Sequence, residues 1–333
     1  MTKSATRVAA DKVTFTQTEV TSAIAAGDTA ARAGRKNLII NGGFDVWQRG
    51  TSLTAASSYL ADRWANGTSE AQSRQAFTVG QTEVDGNPTY YHRSGGGGSA
   101  YYGLDHKIEN VGTLSGKEVT LSYWMKGSSA FTNAPYRGQN FGSGGSSGVE
   151  AALSTSSITT SWVRYTHTFT FPSISGKTVG ASSFSQLNVF RANIANIVVD
   201  IANVQLELGS VATDFEHRSY GEELALCQRY YQKYGGASDW TVGTSANYNG
   251  SSNYLGLSFI NEMRAAPTGS WTNATGWTVL NAGSAVSTTA VVMEGVTTNR
   301  AEIYFTTASA MTQGNASWVR GSSSMFIYLD AEL

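Results

Sequence analysis

Four histidines, His92, His106, His167 and His217, are the side chains best suited to move protons near neutral pH, and they are scattered singly through the sequence. His106 and His167 fall on the apolar parity of alternating stretches, where a satisfied core histidine is the simpler reading. The one G-x-S-x-G string, Gly144 to Gly148, falls in a Gly-rich run that reads as a surface connection, and no H-E-x-x-H or C-x-x-C pattern occurs, so the zinc helix and dithiol chemistry lack their signatures. Carboxylates distant in sequence are the remaining route to catalysis. Asp105, Glu109, Glu118 and Glu150 belong to strand-like segments, and a glycosidase needs only two carboxyl groups about 5 to 10 Å apart. A non-enzymatic role is expected, with a polysaccharide-degrading enzyme as the most distant alternative.

The aromatic signal is stronger. Val119, Leu121, Tyr123 and Met125 alternate with Thr120, Ser122, Trp124 and Lys126, while Val163, Tyr165, His167, Phe169 and Phe171 alternate with Trp162, Arg164, Thr166, Thr168 and Thr170. Successive side chains of a strand point to opposite faces. Trp124 and Trp162 therefore fall on the polar parity, flanked by Ser122, Lys126 and Arg164. An indole so placed is either covered by a loop or a neighbouring subunit, or is a platform on which a sugar ring stacks while its hydroxyls bond the flanking groups. Tyr90, Tyr91 and Tyr101 extend the same surface.

These residues must be positioned by strands. Of 333 residues, 36 are Gly and only 14% are charged, which describes a turn-rich β protein, and a hydrophobic fraction of 41% is enough for packed cores. The net charge of −1 supplies no footprint for nucleic acid or an anionic membrane. No apolar run reaches about 18 residues and the first residues lack a signal-peptide core, so membrane spanning and classical secretion are not expected. Cys227 stands alone, which excludes an intrachain disulfide.

Residues 1–36 read as a polar tether with a short helix, opened by Thr16 and Glu19 and stopped at Gly27. Asn37-Leu38-Ile39-Ile40 reads as an opening strand that bends at Gly42-Gly43, and short strands then follow to residue 216. They include Tyr102, Leu104, His106 and Ile108 on one parity, and a last strand whose parity from Ile201 to Val204 survives only with a bulge near Ala202-Asn203. Within 217–235, a helix over 219–234 is expected, its stripe carried by Leu224, Cys227, Tyr231 and Tyr234. Residues 236–333 hold further short strands. The fold expected is all-β: a jelly-roll sandwich over 37–216, an interdomain helix, and a smaller C-terminal β domain.

Three blocks, NLIINGGFDVWQRG, KEVTLSYWMKGS and VQLELGSVATDFEHRSYGEELALCQRYYQKY, carry a resemblance to a domain of bacteriophage and prophage tail-fibre and tail-tip proteins that is similar to jelly-roll carbohydrate-binding modules. It spans about residues 37–235, and the later MRAAP and DAEL pieces look like phage fibre C-termini. The resemblance implies a virion adhesin, synthesised in the bacterial cytoplasm, threefold, joined to other virion proteins through residues 1–36 and attached to a host-surface polysaccharide. A purely structural collar, capsid fibre or decoration protein is the alternative. The modules also imply a structural calcium, with Asp45 at the first acidic position. Ala202-Asn203 occupies the second, two residues from Asp200.

Overall fold

The computed structural model describes residues 36–54, 58–67, 71–95, 102–192, 194, 196–236 and 240–333. The expected N-terminal helix and Tyr101 lie outside them. In chain order the strands are β1 (Ser52–Leu53), β2 (Trp64–Asn66), β3 (Gln72–Ala76), β4 (Tyr90–Gly95), β5 (Tyr102–Glu109), β6 (Glu118–Gly127) and β7 (Phe131–Asn133). There follow β8 (Tyr136–Asn140), β9 (Val149–Ala152), β10 (Ser156–Ile158), β11 (Val163–Thr170), β12 (Phe184–Ala192) and β13 (Val198–Leu208), then one helix, α1 (Tyr220–Gln228). After the helix come β14 (Tyr231–Gly235), β15 (Trp240–Asn249), β16 (Ser252–Ser258), β17 (Thr268–Trp271), β18 (Thr278–Asn281), β19 (Ser284–Glu294), β20 (Arg300–Thr307), β21 (Ala316–Gly321) and β22 (Phe326–Asp330).

Two antiparallel sheets form the sandwich, one in the order β1-β3-β4-β13-β6-β11 and the other β2-β5-β12-β8-β9. The alternation seen in the sequence fills the space between them. Leu121, Tyr123 and Met125 of β6 meet Leu104 of β5 and Leu187 and Phe190 of β12 in one buried cluster. His106 is buried against Trp64, and His167 bonds Tyr123 and Ser154, so both are core histidines. The last strand, β13, is inserted between β4 and β6, and its register on β6 shifts between Ala202 and Gln205, where Asn203 has φ +47°. That is the bulge the parity required.

The opening segment is not a strand. Residues 39–43 bend and turn, held by two asparagine side chains beside isolated backbone bonds from the Leu38 amide to Leu206 O and from the Val204 amide to Gly42 O. Asn37 bonds Val204 O and receives the amides of Ile39 and Leu206. Asn41 bridges Val46 O and Asp62 O, and its carbonyl accepts the Trp64 indole. Gly42 lies so near β13 that an added Cβ would sit 2.0 Å from Val204 O.

The expected long helix is two elements. Ser219 caps α1, accepting from the Glu222 amide, but the helix stops at Gln228 and the tyrosine-rich remainder becomes β14, paired with β22 from Tyr231↔Asp330 to Gly235↔Phe326. Aromatic residues favour a half-buried pleat, and β22 supplies a partner that local periodicity cannot reveal. The buried face of α1 carries Glu223 and Cys227, with Leu224 only half-buried. Strands β15-β16-β20-β19-β18-β21 close into a barrel around Trp277, Ile303, Phe305 and Val319, and β14, β22 and β17 form a sheet beside it.

The sandwich and the C-terminal part are joined by charge as well as by α1. Arg63, fully buried, lies over the Tyr230 ring at 3.4 Å and pairs with Glu332. Arg49 lies 3.6 Å over Tyr231 and reaches Asp62, Asp330 and Glu332.

Candidate functional site

Trp124 sits on the outer face of the six-stranded sheet, opposite Arg164 on β11 and Ala202 on β13. It remains half-buried. Trp162, just before β11, does not share that exposure. At 8% accessible it is enclosed by Phe77 and Tyr91, each 5.4 Å away between ring centroids, by Val84, and by the Lys126 ammonium 5.0 Å over its ring. The cover is the connection from β3 to β4, residues 77–89, which folds back across the sheet. Trp162 is therefore loop-capped, and of the two expected platforms only Trp124 meets solvent.

The flanking groups divide similarly. Ser122 is buried and accepts a bond from Arg164, which also donates to Thr213 O. Lys126 is drawn toward Asp200, 3.9 Å away. Trp124 and Arg164 line a cavity of about 360 Å³ with Asp85, Gly86, Asn203, Asp214, Phe215 and His217. Asn203 and His217 also line a second cavity of about 550 Å³, which adds Asp45, Trp47, Arg74 and Tyr90. The two are lobes of one groove between residues 85–90 and 213–220. Tyr90 is under the Arg74 guanidinium, 4.4 Å from its ring centre. Sequence parity points to Trp124 but not to Asp85, Asn203 or His217. They come from a turn, a bulge and the segment after β13; the turn had a local signal in Gly86-Asn87-Pro88 and the bulge one in the parity of β13, but nothing local marked the segment that carries His217.

Electrostatically the groove is mixed. Burial, reinforced by the neighbouring charge of Glu223, pushes the Asp45 carboxyl up to about 6. Glu223 itself accepts the Asn41 amide and pairs with Arg218 at 3.2 Å. The Asn203 amide donates to Asp85 O, while its buried Oδ1 has no partner among the described residues.

The two acids suggested as calcium ligands are not a pair. Both carboxylate oxygens of Asp200 are taken by Arg93, at 2.7 and 2.8 Å. The residue that shares a lobe with Asp45 is Asn203. No cluster of three His, Cys, Asp or Glu side chains that could hold a metal ion occurs among the described residues.

Of the four carboxylates weighed for catalysis, Glu109 is paired with Arg229 at 3.0 Å and Glu118 pairs with Thr170 at the strand end. Asp105 and Glu150 occupy the five-stranded sheet. There Asn188 donates to Asp105, and burial raises the Asp105 carboxyl while bonds from Gln186 and Asn188 lower it. Glu150 and Asn188 line a shallow cavity of about 30 Å³ with Tyr136 and Arg191.

No protein-family model matches the chain, and no curated protein matches it. Among solved structures, the CBM22-2 xylan-binding domain of Paenibacillus barcinonensis Xyn10C aligns over 44% of this chain and 92% of its own, at 11% identity and a TM-score of 0.34. The C-terminal family 22 carbohydrate binding module of Clostridium thermocellum Xyn10B aligns over 46% and 89%, at 14% identity and a TM-score of 0.35. A cyclase from Fischerella sp. TAU aligns over 54% and 99%, at 13% identity and a TM-score of 0.35. Binding modules and a cyclase score alike, so these likenesses assign no ligand, and the all-β sandwich stands on its own strand order.

Proposed function

We propose that this protein is a non-catalytic carbohydrate-binding protein of a phage virion, acting in host-surface attachment as a tail fibre or tail-tip adhesin. The observation that carries the glycan reading is the half-exposed indole of Trp124 in the wall of the groove. An indole offers the apolar face of a pyranose a surface to stack on, and Arg164, Asp85 and Asn203 are at hand for its hydroxyls. The virion assignment is supported by the three tail-fibre-like blocks of the sequence.

Stacking of this kind contributes about 1 kcal/mol per ring beyond area burial. One groove therefore binds weakly, and useful attachment needs several copies acting together. A homotrimer fits that need. The experiment is adsorption of the protein to host cells or their purified surface polysaccharide, with sugar release and light scattering measured on the same samples. Trp124→Ala should lower retention about tenfold at unchanged melting temperature, no reducing sugar should appear, and the mass should be three times 35.4 kDa. Retention unaffected by Trp124→Ala would remove the groove from the reading, steady sugar release would make the protein an enzyme, and a 35.4 kDa particle would remove the trimer.

A further inference from the structure

The barrel carries an aromatic surface that the groove does not use. Tyr254 on β16 and Tyr304 on β20 are direct cross-strand partners, with ring centroids 4.9 Å apart, and Tyr248 joins them edge-on at 5.4 Å while remaining 65% exposed. Since the interior is already filled by Leu255, Ile303 and Phe305 on the opposite parity, these rings are not needed for the core. Two residues further along the same outward face, Gly256 pairs with Glu302 and Glu302 with Glu294. Two residues of a strand span about 7 Å, so the acids are within reach of a sugar stacked on the tyrosines. Nothing lies within 4 Å of a Cβ built on Gly256, so the floor beside Glu302 is open.

Like charges directly opposite each other on a sheet are destabilising, and no ion pair to Glu294 or Glu302 occurs among the described residues. Arg300, two residues before Glu302 on the same outward parity, leaves these three charges at a net of minus one, and an aromatic row beside two carboxylates that form no ion pair is complementary to a ring that carries a positive charge, through stacking, cation attraction to the phenol faces, and the acids themselves. We infer that this face of the barrel is a second carbohydrate-binding surface, specific for glycans bearing free amino sugars. It is separate from the Trp124 groove and stands or falls without it.

The full chain is titrated calorimetrically with a β-1,4-glucosamine hexamer, its fully N-acetylated counterpart and a hexa-galacturonate. The glucosamine hexamer should bind at least tenfold more tightly than the acetylated one, and the galacturonate should not bind. Tyr254→Ala with Tyr304→Ala should weaken binding at least tenfold, Glu294→Gln with Glu302→Gln at least fivefold, and Trp124→Ala not at all. The Tyr248→Ala change, at a residue 65% exposed whose ring contact is the edge-on one to Tyr254, should weaken it about threefold and serves if the double tyrosine variant misfolds. Equal binding of both hexamers overturns the inference, as does loss in the glutamate variant with full retention in the tyrosine variants, which is diffuse charge attraction only. Light scattering on Tyr248→Ala that shows dissociation of an oligomer, with no hexamer bound by the parent, would make the face a contact between copies instead.

Discussion

His92 is enclosed by Phe44 and by Trp47, whose ring is stacked on it at 5.9 Å, and neither imidazole nitrogen has a hydrogen-bond partner among the described residues. Burial pushes its pKa down to about 3. A depressed histidine stabilises the fold fully above its ordinary value of 6.5, and that contribution is lost as pH falls toward the folded value. Asp45, raised to about 6, acts in the opposite direction: its contribution is complete below about pH 4 and lost as pH rises through 6. Other buried groups shift as well, Asp62 raised to about 6 and His106 lowered by burial, so substitution is needed to separate the part of His92. In urea titrations at pH 7 and pH 4, His92→Leu should remove roughly 3 kcal/mol of acid-induced loss, at 1.36 kcal/mol per pKa unit. Identical pH dependence in both proteins would show that His92 is not the group responsible. At this scale the sequence was partly readable. Alternation placed Trp124 and Trp162 on the outer face and left a loop cover open for both, and it is Trp162 that residues 77–89 cover, because strand parity says nothing of what crosses a sheet.

Among the elements, the bulge in β13 was readable because an inserted residue is the only way to keep Ile201 and Val204 on one side. The division of 219–234 into α1 and β14 was not readable, since a helical stripe and a β-prone tyrosine run coincide there and the deciding partner, β22, lies about 100 residues away. Two glycines test the local geometry. Gly42→Ala must push a methyl into Val204 O and should cost at least about 3 kcal/mol, within the range of strained backbone and overpacking changes. Gly221→Ala, in the first turn of α1 with open space around it, should instead stabilise by up to about 1 kcal/mol. Chemical denaturation that ranked the two the other way would contradict the packing described for the opening turn.

For the whole molecule, the all-β class and the sandwich were legible from composition and period-two alternation. Closure of the barrel was not, because β15 must find both β16 and β21, and β18 both β19 and β21. The Arg49 and Arg63 clamp ties the sandwich to Tyr230, Tyr231, Asp330 and Glu332, beside the barrel, and should couple their unfolding. Removing one partner of a buried ion pair costs about 3–5 kcal/mol, so Arg63→Ala should lower stability by that amount and split a single calorimetric transition into two. A wild-type scan already showing two transitions would mean the clamp does not couple them. The insertion of β13 between β4 and β6 has a further consequence, for synthesis on the ribosome. Roughly 100 residues separate β4 from β13, which at 5–20 residues per second is about 5 to 20 s of elongation. For about the last 70 of those residues, once β6 has been made, β4 and β6 both lack the strand that belongs between them, with unpaired edges that invite association, and Asn37 waits for Val204 and Leu206. A nascent chain arrested before residue 198 should therefore be held by chaperones, and release should follow emergence of a single strand.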